Sequence, residues 1–389
     1  MRKIISLFLV MLLALSMASV TAETAAQTET VTATVTEIQK YGNMVLNVTG
    51  SDILNAGFTY GDVVTVTILG KAYDMPIGSN YADVDQGSMI CCVVVRKDAE
   101  TPEDYTLLAI NMGDLATAAG VATKENIDQD PGYVWNLNEG VEEPVTVTIE
   151  MKEAGAYYDR WVMNQLVRSE NREDYPDLTD EQFANFRAVT TKGMAEGRLY
   201  RSSSPVNPEI GRNTYADAAT EAAGVKTVMN LADNAEVMRN YEGFAESYYS
   251  RQNILPLNLG VDFSAPDFAA GLANGFRFLA ANEGPYLVHC NEGKDRAGFT
   301  SAILESLMGA SAEEVVADYM VTYYNYYGVE PGTDQYDVIS SANICKPLAA
   351  TFGVETIEGQ DLAALAENWL LSIGMTGDEI AALKTALGE

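Results

Sequence analysis

The chain has 389 residues, 47% of them hydrophobic, which is room for two domains with a core in each. Its 24 Lys and Arg stand against 55 Asp and Glu, a net charge of −31, so a nucleic-acid or anionic-membrane surface would repel it and any anionic ligand must be captured by a local positive pocket. Four cysteines and one histidine exclude a zinc ribbon, a Cys-His metal cluster and a disulfide-stapled mini-fold.

In chain order, Met1-Arg2-Lys3 precedes an apolar run from Ile4 to Leu15, and Val20-Thr21-Ala22 precedes Glu23. This is the pattern of a signal peptide over 1–22, cleaved after Ala22. The run is shorter than the ~20 residues a span needs, so the expectation is a secreted or extracytoplasmic protein with no stable membrane insertion after cleavage. From Val31 to about Met151, β-branched residues alternate with period two, as in Val63-Val-Thr-Val-Thr-Ile68 and Val145-Thr-Val-Thr-Ile149, with Tyr41-Gly42-Asn43 and Tyr60-Gly61-Asp62 between runs. That pattern predicts a mostly antiparallel β-domain over 23–152. Cys91 and Cys92 lie in one of its apolar strands and read as core, because adjacent cysteines pair only with strain.

The polar stretch from Arg168 to Pro176 reads as a loop near the start of a second domain, 153–389. Helical and buried-strand patterns then alternate: helix over Tyr215–Ala223, strands over Val225–Leu231 and Ile254–Leu259, helix over Pro266–Asn282, strand over Tyr286–His289. The order predicts an α/β fold, a central twisted sheet flanked by helices. Ser311-Ala-Glu-Glu314 opens another helix as a capping box, and Asp361 to Leu387 forms a helical end.

The chemistry concentrates where the strand Tyr286–His289 runs into Cys290-Asn291-Glu292-Gly293-Lys294-Asp295-Arg296-Ala297-Gly298 and a helix. In a chain of this composition, Cys-x2-Gly-x2-Arg is expected by chance only about 0.01 times. A short loop between a buried strand and a helix N-terminus can turn its N–H groups inward as a nest for a tetrahedral anion, and Gly293 permits the turn. The amides, the helix dipole and Arg296 favour the thiolate of Cys290, a nucleophile for phosphorus. Arg296 would fork onto two phosphoryl oxygens, which lysine cannot do. Asn291, Glu292, Gly293, Lys294 and Ala297 complete the candidate binding loop. His289, before the nucleophile, is expected to point away from the pocket and hydrogen-bond the loop. With no second histidine it makes a poor metal ligand, and the reading requires neither metal nor other cofactor.

These residues resemble the cysteine-dependent protein-tyrosine phosphatase superfamily, in particular its bacterial tyrosine/lipid phosphatase branch, whose loop reads His-Cys-x-x-Gly-Lys-Asp-Arg-Thr-Gly. Gly197-Arg-Leu-Tyr-Arg-Ser202, Ala317-Asp-Tyr-Met320 and Leu371 to Ala381 carry further local similarity over roughly 183–389. The resemblance implies hydrolysis of phosphate monoesters through a phosphocysteine, on a phosphorylated protein or, alternatively, on an inositol phosphate or phosphoinositide, with which lysine at position 294 is associated. It places a general acid 25 to 40 residues before the nucleophile. Asp262, 28 residues upstream, is the first choice, Asp267 the second and Asp295 the third. Ala297 stands where the family usually has Ser or Thr to stabilise the departing cysteine, so slow turnover, partial replacement by Thr300, or an inactive phospho-anion binding module are further readings. Segment 61–111 loosely resembles the C-terminal β-barrel of S-adenosylmethionine hydroxide adenosyltransferases, which implies an accessory or docking scaffold of unknown partner. The Tyr319–Tyr327 tyrosines read as core packing, and Cys345 as core or as a resolving thiol for Cys290.

Overall fold

A computed structural model describes residues 30–97 and 101–388. The signal-peptide expectation for Met1 to Ala22 lies outside the described residues. The chain divides into two compact units, Met1–Trp161 and Val162–Glu389.

In the first unit the strands are β1 (Val31–Ile38), β2 (Met44–Leu46), β3 (Val63–Ile68), β4 (Lys71–Gly78), β5 (Met89–Arg96), β6 (Glu103–Ile110), β7 (Ala122–Asn126), β8 (Tyr133–Leu137) and β9 (Thr146–Glu153). Seven close into a barrel in the order β1-β2-β6-β5-β4-β3-β9, and β7 pairs with β8 as a separate ribbon. The barrel ladders are antiparallel except β4 with β5. Alternation sends Val64, Val66, Ile68, Met75, Ile77, Val147 and Ile149 inward, and closure through Val31 opposite Ile149 leaves no open edge between β1 and β9. Period two also separates the adjacent cysteines. Cys91 enters the barrel core, while Cys92 packs outside with Val84, Ile90 and Leu107, and burial pushes each thiol up to about 12. The chain stays with this unit nine residues past the expected boundary at 152, because Trp161 stacks on Tyr60 with ring centroids 5.0 Å apart.

The second unit is built on β10 (Arg187–Ala188), β11 (Leu199–Ser202), β12 (Thr227–Asn230), β13 (Asn253–Pro256) and β14 (Tyr286–His289), in the order β10-β11-β14-β12-β13. All pairs are parallel except the edge pair β10 with β11. Parallel strands need cover on both faces, and the side chains split accordingly. Met229 and Val288 join the large core built with Leu272, Phe276, Phe299 and Ile303, whereas Val228 and Leu287 join Ala216, Ala219 and Tyr249 on the other face. Helices span Asn213–Ala222, Pro266–Ala281, Asp295–Met308 and Ala312–Tyr327, the last opened by the Ser311–Glu314 capping box. The Asp295–Met308 helix is buried continuously from Ala297 to Leu307. β13 stops short of the expected Leu259 because Asn258 takes φ +50°, although Leu257 N and Leu259 N still donate to Asn230 O and Leu231 O. The expected helical end is two helices, Leu362–Ser372 and Gly377–Gly388, parted at Gly374 with φ +91°.

Candidate active site

The site forms where β14, the central strand, delivers Cys290 to the N-terminus of the Asp295–Met308 helix. Cys290 is 3% exposed. Four successive carbonyls of the loop are held from outside it. Cys290 O faces His289 Nδ1 at 3.3 Å and Asn291 O accepts from Ser204 N at 3.0 Å. Glu292 O accepts from Asn185 Nδ2 at 3.1 Å and from the Tyr326 hydroxyl at 2.7 Å. Gly293 O accepts from Arg201 Nη2 at 2.9 Å. In a planar trans peptide the following N–H points the opposite way, so the amides of Asn291, Glu292, Gly293 and Lys294 face away from these partners, as a nest for an anion requires. The helix dipole adds to that field.

Gly293 sits at φ +68°, and a Cβ there would lie 2.3 Å from Ser202 O and 2.7 Å from Ser203 N. The bend of the loop therefore requires both glycine's conformation and its missing side chain. Gly298 permits the close pass of the helix, since a Cβ there would meet the Tyr319 ring at 2.6 Å and Arg201 Nη2 at 2.7 Å.

Behind the loop lies a buried ionic scaffold that the sequence reading did not assign. Arg201, fully buried, donates to Asp318 Oδ2 at 2.7 Å as well as to Gly293 O, and Arg187 donates to Asp318 Oδ1 at 2.9 Å. Burial would raise the Asp318 carboxyl, but the two guanidiniums overcome it and hold it at about 2. Arg201 and Asp318 lie within two strings that carry the family similarity, so the sequence held a signal for them without showing that they meet.

His289 is fully buried and points away from the pocket. Its Nε2 lies 2.8 Å from the Tyr249 hydroxyl, which receives Asn230 Nδ2 at 3.1 Å. Because the Cys290 carbonyl can only accept, the imidazole proton sits on Nδ1, and the Tyr249 hydroxyl donates to the bare Nε2. Burial holds the ring neutral, down to about 4, with Asp233 opposing and Arg296 reinforcing the shift.

Arg296 Nη1 donates to Leu259 O at 2.9 Å, which brings the segment after β13 against the loop. Phe263 on that segment stacks on Phe299 at 4.2 Å. Asp262, between these two anchors, is exposed and accepts both Ser264 Oγ (2.6 Å) and Ser264 N (3.0 Å) on Oδ1. Those bonds hold its carboxyl below the usual range, the wrong direction for a proton donor. Asp267 is an exposed residue in the first turn of the Pro266–Ala281 helix, where a negative charge suits the dipole. Asp295 starts the helix of the site, with Oδ2 4.0 Å from Lys294 Nζ, and burial pushes its carboxyl up against the pull of Lys294.

Two loop side chains behave differently from the sequence expectation. Ala297 is fully buried against the same apolar core that Cys290 joins, so it offers the site no hydrogen-bonding side chain. Glu292 is clamped by Arg168 at 2.9 Å and Lys294 at 2.9 Å. Burial alone would raise this carboxyl, and the two cations bring it to about 2. Its backbone amide belongs to the nest while its side chain belongs to an ion cluster. Thr300 is fully buried in the same helix, and Cys345 is half-buried in a π-turn over Ser341–Cys345, its thiol pushed up to about 11 by burial. Among the described residues no group of three or more His, Cys, Asp or Glu side chains is placed to hold a metal ion.

Residues 181–387, which contain the whole loop and its scaffold, match the tyrosine phosphatase family. The chain belongs to that family. A tyrosine-protein phosphatase of Nostoc commune is 31% identical over 124 residues, covering 29% of this chain and 42% of that relative, so the match spans less than half of the relative's length. Among solved structures, the core catalytic domain of the PP-IP phosphatase Siw14 from S. cerevisiae aligns at 18% identity over 44% of this chain and 95% of that one, with a TM-score of 0.27. TpbA of P. aeruginosa, solved in complex with pTyr, aligns at 18% identity over 43% and 96%, with a TM-score of 0.27.

Proposed function

We propose that this member of the tyrosine phosphatase family hydrolyses phosphate monoesters, with protein-bound phosphotyrosine as substrate, through a phosphocysteine intermediate. The observation that carries the reading is the loop whose four carbonyls from Cys290 to Gly293 are drawn outward, which turns the amides that follow them inward, with Arg296 six residues after Cys290 in the same loop. The phosphoryl group sits in the amide nest and Arg296 leaves Leu259 O to fork onto two of its oxygens. Cys290 Sγ attacks phosphorus, an S–P bond forms, the P–O ester bond breaks, and the leaving oxygen takes the proton of Asp295. Water then attacks phosphorus, Asp295 recovers a proton from it, and the S–P bond breaks to release phosphate and the thiolate. Asp295 is preferred to Asp262 because it stands in the loop itself, at the start of its helix, and burial moves its carboxyl towards a proton donor's range, whereas the Ser264 bonds move that of Asp262 the other way. Alanine at position 297 supplies no hydroxyl to ease the departure of Cys290, so breakdown of the intermediate is the slow step.

The curated relative's name supports phosphotyrosine as the substrate class, and the pattern of Met1 to Ala22 supports an exported protein that starts at Glu23. The test is turnover by the full chain on phosphotyrosine and phosphoserine peptides, with Cys290→Ser as control. Hydrolysis of the phosphotyrosine peptide that is abolished by Cys290→Ser fits the proposal, and equal activity in that variant contradicts it. N-terminal sequencing of protein recovered outside the cytoplasm tests the export reading.

A further inference from the structure

We infer that Glu292 determines specificity at this site: its carboxylate occupies the two rim cations, Arg168 and Lys294, and so confines the site to substrates bearing one isolated phosphate, against polyphosphorylated small molecules. The inference rests on the phosphatase reading above. A pocket in a chain of net charge −31 can hold a second phosphate only with cations that are free to meet it. Arg168 is not free. Its Nη2 donates to Glu292 Oε1 at 3.0 Å while its Nη1 lies 2.9 Å from Oε2 as an ion pair, and its Nε donates to Glu170 at 2.8 Å. Its guanidinium also lies over the Tyr326 ring, 4.9 Å from the centroid. Lys294 Nζ is 2.9 Å from Glu292 Oε2 and 3.5 Å from the Tyr327 hydroxyl. The side chains of Arg168, Lys294 and Glu292 are only 17%, 17% and 26% exposed, so this cluster is better shielded from water than an ordinary surface ion pair, and its charges count for more.

The surface beyond Arg168 repeats the message. It opens into a groove of about 530 Å³ walled by tyrosines, and its charged lining apart from Arg168 is Asp174, Asp177 and Glu330. A second phosphate leaving the loop on this side meets Glu292 and then three more carboxylates, a like-charge arrangement that selects against it. A tyrosine ring and its peptide carry no such charge. The lysine that by resemblance goes with phosphoinositides is here neutralised two residues away.

The test is calorimetric binding to the full chain carrying Cys290→Ser, with inorganic phosphate and inositol hexakisphosphate as probes, before and after Glu292→Gln. Releasing two charge-assisted contacts should tighten the hexakisphosphate at least about tenfold more than inorganic phosphate. Adding Lys294→Met should remove most of that gain. Where Glu292→Gln disturbs folding, read by near-UV circular dichroism, Glu292→Asp serves instead: a shorter carboxylate cannot span both cations and should give a smaller gain of the same sign. Equal changes for both probes, or a parent protein that already binds the hexakisphosphate more than about a hundredfold tighter than phosphate, overturn the inference while leaving the phosphatase reading in place. Failure of the parent to bind phosphate at all overturns the phosphatase reading itself and the inference with it.

Discussion

Replacing Gly293 by alanine tests whether the phosphate nest depends on the bend seen in the loop. The new Cβ would lie 2.3 Å from Ser202 O, 2.4 Å from Ser202 C and 2.7 Å from Ser203 N, all backbone atoms. Those atoms cannot retreat cheaply, because Ser202 is paired in register with His289 at the core of the sheet. The loop must move instead, by roughly 1 Å to regain ordinary contact, and that movement pulls on Arg201–Gly293 O at 2.9 Å and Tyr326–Glu292 O at 2.7 Å. A left-handed φ costs a residue with a Cβ about 1–2 kcal/mol, and overpacking against fixed backbone adds about 1–3 kcal/mol. The expected loss is thus about 2–5 kcal/mol in urea denaturation, or, where the loop rearranges to relieve the clash, a smaller loss with phosphate affinity down by about tenfold or more. A Gly293→Ala protein with unaltered midpoint and unaltered phosphate affinity would refute the reasoning about the loop.

The proton donor is separable by leaving group. Asp295→Asn should slow hydrolysis of a phosphotyrosine peptide by about 10²-fold, cost far less on an activated aryl phosphate, and remove the alkaline limb of the pH–rate profile, which in the parent lies above the ordinary carboxyl range because burial raises this group. Asp262→Asn should do neither, and the reverse result would return the role to Asp262. Stability should respond to His289. Its folded pKa of about 4 lies below the unfolded value of 6.5, so the unfolded chain takes up a proton first as pH falls. The contribution is fully present above pH 6.5 and declines towards pH 4, by about 3 kcal/mol in all. His289→Asn should flatten urea stability between pH 6.5 and 4.5, above the window of Glu292, which closes towards 2. An unchanged slope would mean another group titrates there.

Local pattern carried much of the fold and the chemical centre. The strand at Tyr286–His289 matches its expectation residue for residue, and Cys290, Gly293 and Arg296 stand together because seven consecutive residues encode them. What local pattern could not supply were partners far apart in the chain. Arg201 reaches Gly293 across 92 residues and Asp318 across 117, while Arg168 reaches Glu292 across 124. Arg168 read as part of a polar loop, since nothing in its own segment indicates the glutamate it meets. The tyrosine run read as core, which holds for Tyr319, Tyr323 and Tyr326, yet the Tyr326 hydroxyl also fastens the loop. Sequence distance from the nucleophile favours Asp262, whereas the bonds it accepts from Ser264, two residues on, lower its carboxyl further.

The central claim is a covalent bond between Cys290 and the phosphoryl group. Rapid acid quench of the full chain during turnover of a phosphotyrosine peptide, followed by mass spectrometry of the Cys290 peptide, measures it directly. The account predicts one phosphoryl group on Cys290 in the first turnover, accumulating because its hydrolysis is slow, and none in Cys290→Ser. Steady turnover with no phosphoryl group on Cys290, or phosphate release that persists in Cys290→Ser, would contradict it.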